Sequence, residues 1–540
     1  MGPFATLASL QSVLDHTPAG HGHRQHGRVG GSGRWAGEVQ HSADHRRVHR
    51  EHNMTGYGGE KSQNLRLALR NSVFGFLSLS CRLVGASLIF VMIARLPCIS
   101  VSGFGELTYA AVLAALSVMV SQFGFAPLLI RDVASDPSRL PAYARSVASL
   151  RLLFAVAALA ALIGYVHLID MTGQARWICG IIAVAFQVGS FSADLQAIFQ
   201  SREKMHLEFV GIAVENVLLV ALARLAFLWQ PSLTEVACIF LTAKSAALIV
   251  NYLLCGWFVL WVYPVVNWGL WKSMLWEATP FALAGIVALG IVQIDTVLLR
   301  ELSPGDAERT VGLYQAAVRL FLVPMLLPQI VLKVFLPQLS RMHGQSGQGL
   351  VRDLGRVNHI LLTLGLLIGL VTLFRGADLV RLCYGDKLAD AGPLLQVLGA
   401  TIMMRFGAAY TIYFTIRNRI WFRVVSALVA LAAVVAFDWM LIPRYGALGA
   451  AYASVLAHVV YWIPFLAATY LSERTVSLGW QALPALVAAG VLVAALCATA
   501  GCSLLYMLPV YAMAVLLLTF VTMPQGERNR FMTHILLRGA

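Results

Sequence analysis

"GIVQIDTVLL", residues 290–299, is an apolar run with one carboxylate, Asp295, at its centre. It continues upstream through "PFALAGIVAL" (280–289), so that residues 280–299 hold a single charge. About 20 apolar residues form a helix that crosses roughly 30 Å of hydrocarbon. Comparable runs recur over residues 71–523. Inside a bilayer each span must satisfy its own backbone hydrogen bonds, which makes helices the default.

The composition agrees. Hydrophobic residues make up 59% and charged residues 12%, with a mean hydropathy of +0.73, whereas soluble domains carry about 25% charged residues. Spans are predicted to begin near residues 72, 104, 148, 177, 209, 236, 279, 311, 357, 394, 421, 446, 481 and 503. The longest connections, around 339–356 and 375–393, are too short for a separate soluble domain. The expected fold class is therefore all-α, a polytopic membrane helix bundle of about 14 transmembrane helices, with its chemistry inside the bundle. The eight cysteines form no CxxC pair and read as packing residues.

Residues 1–70 read as a disordered cytoplasmic tail. The stretch "HTPAGHGHRQHGRVGGSGRW" (16–35) is rich in His, Gly and Arg and lacks both apolar periodicity and the pattern of a signal peptide. Its irregular spacing argues against metal binding. A translation start at Met54 would leave residues 1–53 outside the protein.

Assigning loops alternately to two sides separates the basic residues. One side holds Lys61, Arg66, Arg131, Arg139, Arg145, Arg151, Arg202 and Lys204 among many; the other holds far fewer, among them Arg95, Arg300, Arg375 and Lys387. The positive-inside rule then places both termini in the cytoplasm of a multi-pass membrane protein. The net charge of +14 reads as topology and contact with anionic lipid, and nucleic acid is not expected as a partner.

A shift of about 207 residues, the separation of Gly105 and Gly312, brings the first six spans onto the next six. Pro127-x-x-x-Arg131 recurs as Pro337-x-x-x-Arg341. Six crossings preserve orientation, so the expectation is two parallel six-helix lobes, 71–265 and 266–475, followed by a C-terminal helix pair and short tail in 476–540. Repeated lobes of this kind point to a transporter with its site between them near the midplane.

Charges inside the spans suggest what is carried. Arg82, Arg224, Lys244, Arg319, Lys333 and Arg405 lie within spans, as do Asp194, Glu215, Asp295 and Asp438. A lipid-facing charge costs roughly 2.5 to 3.5 kcal/mol on insertion scales. Arg224, Lys333, Asp194, Glu215 and Asp438 are near enough to span ends to reach water. Arg82, Lys244, Arg319 and Arg405 lie deeper and come from both lobes, so a shared cationic cavity is expected. Arginine's planar fork suits phosphate oxygens, and the favoured ligand is a phosphate or diphosphate. Asp295 is expected at the depth of Arg319, as its salt-bridge partner or as a site for a coupling cation. His458 is a candidate for proton exchange, with a packing role as the alternative. Pro324 and Pro328 predict a kink in the eighth span.

Four stretches together resemble the polysaccharide-export branch of the multidrug/oligosaccharidyl-lipid/polysaccharide (MOP) superfamily, with Wzx-type lipid-linked oligosaccharide flippases as the nearest type. They are "GFGELTYAAVL" leading to "FGFAPLLIRDVA"; "IVQIDTVLL"; "VGLYQAAVRLFLVPMLLPQIVLKVFLPQLSRM"; and "YGDKLADAGPLLQVLGA" followed by "IPRYGALGAAYASVLAHVV". The resemblance implies a carrier that moves an undecaprenyl-diphosphate-linked glycan across the bacterial inner membrane by alternating access. Coupling to H+ or Na+ and contact with polysaccharide polymerase or assembly proteins would follow, and no cofactor is implied. By position, Asp295 matches the acidic residue of the seventh span and Arg319 a basic residue of the eighth; Arg82 and Arg405 fit the cationic lining. The alternatives are a peptidoglycan-precursor lipid flippase and a drug/cation antiporter of the same superfamily. An enzyme is not expected, because Asp-x-Asp, Gly-x-Ser-x-Gly, His-Glu-x-x-His and Walker A sequences are absent.

Overall fold

The computed structural model describes residues 70–169, 171–329, 331, 347–408 and 420–473, with scattered positions between 489 and 518. Among them there is no strand, and eleven helices are long and apolar enough to cross a membrane. The amino-terminal half comprises α1 (Arg70–Ala94), α2 (Val101–Gln122), α3 (Phe125–Ser135), α4 (Leu140–Leu168), α5 (Gly173–Ser201), α6 (Met205–Trp229) and α7 (Leu233–Phe258). The carboxy-terminal half comprises α8 (Trp268–Leu302), α9 (Ala307–Leu322), α10 (Gly347–Tyr384), α11 (Gly392–Arg405), α12 (Ile420–Tyr445) and α13 (Ala447–Glu473). Residues 259–267, which lack regular structure, join the halves.

Short polar residues set the helix starts. The side chains of Ser100, Thr172, Asn267 and Asp306 each accept a hydrogen bond from a backbone N–H in the first turn that follows. Ser232 and Glu235 form a reciprocal capping box at the start of α7. These caps satisfy amides that helical geometry leaves without partners, and they fix where one crossing ends and the next begins. Between α2 and α3 the chain breaks through two left-handed residues, Phe123 (φ 40°) and Gly124 (φ 72°). A side chain on Gly124 would also collide with the carbonyl oxygen of Ala278, 2.8 Å away, so α2 and α8 approach closely there.

The predicted starts hold for most spans, with three notable differences. Helix α4 begins at Leu140, α8 at Trp268 and α10 at Gly347, all ahead of the expected 148, 279 and 357, because the helical backbone continues upstream of the apolar run. The break foreseen in the eighth span occurs at Pro324: α9 ends at Leu322 and a new turn starts at 326. Proline removes a donor and clashes with the preceding turn. Pro328 sits within that new turn, while Lys333, Pro337 and Arg341 lie outside the described residues. Most of the final pair of spans does too, but Leu492, Leu496, Tyr511 and Val515 are buried against Leu367 of α10.

The tightest contact between halves is the crossing of α2 and α9. A Cβ on Gly105 would lie 1.7 Å from the carbonyl oxygen of Glu308, and one on Gly312 2.5 Å from that of Val101. Backbone touches backbone there, which only glycine permits. The residues paired by the internal repeat thus meet in space.

Candidate functional site

The interior charges fall into three groups. In the amino-terminal half, Arg82 on α1 donates to Gln196 Oε1 of α5 at 2.9 Å and lies 3.5 Å from Glu208 Oε1 of α6. Lys244 on α7 donates to Glu215 Oε1 of α6 at 2.6 Å, with its ammonium 5.1 Å from the centre of the Phe186 ring. A third pair was not foreseen. Arg151 on α4 donates to Asp194 Oδ2 at 2.6 Å, to Ser121 Oγ at 2.8 Å and to Ser190 Oγ at 2.6 Å, and it is fully buried.

Arg151 therefore belongs to the interior and not to a cytoplasmic loop. Three partners across three donor nitrogens offset the loss of water. Asp194 and Glu215, expected to reach water, are instead partnered by Arg151 and Lys244. Arg375, also expected in a loop, lies in α10 at 4% exposure, with Asp378 at 2.6 Å.

The second group lies in the carboxy-terminal half. Asp295 on α8 is buried and accepts a 2.6 Å hydrogen bond from the Tyr314 hydroxyl of α9. Asp438 on α12 is fully buried and interacts directly with Asp295. The expectation that Asp438 reaches water near a span end is thus corrected. It sits about two turns inside α12 and faces α8. Oδ1 of Asp295 and both carboxylate oxygens of Asp438 have no hydrogen-bond partner among the described residues. Arg405 on α11 donates from Nε to His458 Nε2 of α13 at 2.8 Å, and His458 Nδ1 lies 2.7 Å from the Ser454 carbonyl oxygen. Because arginine only donates, Nε2 holds a lone pair and Nδ1 carries the proton. The Arg405 charge also acts on Asp295 and Tyr314, so the five residues form one cluster.

Arg319 forms the third group, at the junction of the halves. Its guanidinium stands 4.0 Å from the centre of the Phe90 ring of α1, and Ser87 Oγ donates to its carbonyl oxygen at 3.2 Å. The expected pairing with Asp295 is not formed among the described residues; Tyr314 takes that place. Five helical residues separate Tyr314 from Arg319, which turns the two about 140° apart on α9. One faces α8 and the other faces α1. Arg319 makes no ion pair with a described residue, and its Nε is buried without a hydrogen-bond partner.

The four deep bases thus do not converge on one contact point. Arg82 and Lys244 already hold acids, Arg405 holds a histidine, and Arg319 alone of the four rests on an aromatic face without an acid or a histidine. Among the described residues no group of three or more His, Cys, Asp and Glu could hold a metal ion. The Asp295–Asp438 pair supplies two carboxylates, suited to a proton or a monovalent cation.

Helix order, the paired halves and the interior charges define the class: the fold is that of the MOP superfamily transporters. The chain is similar to the lipid II flippase MurJ in an inward closed conformation, with a TM-score of 0.63 at 12% identity over 84% of this chain and 98% of that one. It is also similar to an inward-facing multidrug resistance MATE family transporter of the MOP superfamily, with a TM-score of 0.57 at 12% identity over 73% and 96%. Residues 72–343 match the family described as polysaccharide biosynthesis protein, and the chain belongs to that family. Another relative is the capsular polysaccharide biosynthesis protein CapF of Staphylococcus aureus, 21% identical over 281 residues, 50% of this chain and 68% of that protein. The chain is thus a multi-pass membrane protein of the polysaccharide biosynthesis family, with the fold of MOP superfamily transporters.

Proposed function

We propose that this transporter carries a lipid-diphosphate-linked oligosaccharide, an undecaprenyl-diphosphate glycan, across the bacterial inner membrane by alternating access. The observation that carries this reading is Arg319. A guanidinium stays charged at any physiological pH, and burying it without an anion is costly. Here it stands between the halves with a buried Nε unpartnered and an aromatic face beneath it. A diphosphate entering between the halves supplies the missing anion, and Arg82, Lys244 and Arg405 extend the positive lining toward it. Because Arg82 and Lys244 already hold Glu208 and Glu215, the substrate exchanges partners with these acids and meets no bare charge.

Asp295 and Asp438 serve the coupling ion, H+ or Na+. Two facing carboxylates in a low-dielectric interior repel, and a cation between them relieves this. His458, with both ring nitrogens committed, holds Arg405 in place; a second ring proton would expel the Arg405 bond. The likeness to a lipid II flippase favours, as a second reading, a peptidoglycan-precursor lipid, which carries the same diphosphate.

The test is Arg319→Gln in cells that depend on this protein for surface glycan. Export should fall at least about tenfold, the effect of losing one charge-assisted contact in a desolvated site, while membrane abundance holds and lipid-linked glycan accumulates inside. Normal export at equal abundance would refute the reading. Rescue of peptidoglycan-precursor flipping in place of glycan export would select the second.

A further inference from the structure

Two basic residues read from sequence only as topology signals make a reciprocal contact between the halves. Arg95, the first residue past α1, donates from Nε to the carbonyl oxygen of Cys383 at 2.5 Å and from Nη2 to that of Leu382. Both carbonyls belong to the last turn of α10. Lys387, in the 3-10 turn Asp386–Ala391 after α10, donates from Nζ to the carbonyl oxygens of Ala94 and Leu96, each at 2.9 Å. Ala94 ends α1. Each cation therefore caps the carboxy-terminal end of a helix in the opposite half.

The last carbonyls of a helix have no donor of their own and carry the negative end of its dipole. A lysine or arginine supplied by the same half would satisfy them without joining anything. Supplied crosswise, the caps hold only while the halves are together. Both side chains are exposed, so on separation they return to water without stranding a buried charge. Close by, Ser102 Oγ donates to Asp306 Oδ2 at 2.9 Å, again between halves, and the Gly105–Gly312 crossing lies one turn further in. The face is thus closed by a backbone crossing flanked by bonds that can be broken reversibly.

We propose that Arg95 and Lys387 form a reciprocal latch that holds the two halves shut at this face, and that its release opens the interior to this side. That opening is a step of transport rests on the function proposed above; the latch itself requires no substrate.

Cys81, a half-buried residue of α1 next to Arg82, serves as the reporter. In a variant with every other cysteine replaced by serine, its labelling by a membrane-impermeant maleimide is followed in sealed vesicles, with reagent added from each side separately. Lys387→Gln and Arg95→Gln should each raise the rate from the latch side at least about fivefold, the population shift expected from losing a charge-assisted bond. Lys387→Arg, which keeps a cation, should stay near the parent rate. The proposal is overturned if neither glutamine variant labels faster from that side, or if Lys387→Arg labels as fast as Lys387→Gln. Because labelling needs no glycan, a failure here is separate from a failure of the Arg319→Gln export test. The latch side is the non-cytoplasmic side, to which the loop charges assign Arg95 and Lys387.

Discussion

At the residue scale, Asp295 shows how an acid is kept inside an apolar run. Tyr314 offers one oxygen a short hydrogen bond, and Asp438 brings a second carboxylate against it. Neither neighbour is a base, and the one cation of the cluster, Arg405, donates its Nε to His458, so two acids share a site with one committed base. Asp295→Asn and Asp438→Asn should each reduce glycan export severalfold at equal abundance and flatten its response to collapse of the proton or sodium gradient. Export by either variant that still tracks the gradient as the parent does would remove the pair from coupling. The pair was half legible in the sequence. Asp295 stands out because its run is otherwise uncharged, but α9, α10 and α11 lie between it and Asp438 in the chain, and only packing puts the two together.

At the element scale, α2 and α9 are held by the absence of side chains. Gly105 leaves no room for a methyl group against the Glu308 carbonyl, whereas a Cβ on Gly180 of α5 would meet nothing within 4 Å. Gly105→Ala should therefore push the helices apart and cost on the order of 1 to 3 kcal/mol, the usual penalty for overpacking. Gly180→Ala should be neutral or slightly stabilising. Thermal melting of the purified protein in detergent distinguishes them; equal melting temperatures would show that the crossing tolerates separation. The repeat pattern marked both Gly105 and Gly312, yet it could not reveal that they touch each other. Helix starts depend on local groups, since Ser100, Thr172, Ser232, Asn267 and Asp306 each act within a few residues of their own first turn.

At the scale of the whole molecule, each half settles most of its own interior charges. Arg151, Arg82 and Lys244 take their acids from α5 and α6 within the amino-terminal half, and Arg405 takes His458 within the other. Apart from Arg319, which rests on Phe90 of the other half, these charges keep their partners when the halves move against each other. Arg151 ties α2, α4 and α5 together, and Arg151→Met, which strands Asp194, should cost about 3 to 5 kcal/mol. Adding Asp194→Leu should recover much of that loss, because a buried pair replaced by apolar groups is often nearly neutral. The melting temperatures of the single and double variants check this, and a double variant no more stable than the single would place the cost in the serine contacts instead.

Hydropathy and the glycine repeat by themselves pointed to a bundle of membrane helices in two halves with charges turned inward. Those properties follow from the solvent and from backbone geometry, which act over a turn or a span. Tertiary structure alone decided which charge meets which: Arg319 with Phe90, Asp295 with Tyr314 and Asp438, Arg95 and Lys387 with the opposite helix ends. The direction a side chain faces around a helix, and the helix it then meets, depend on packing between segments far apart in the chain.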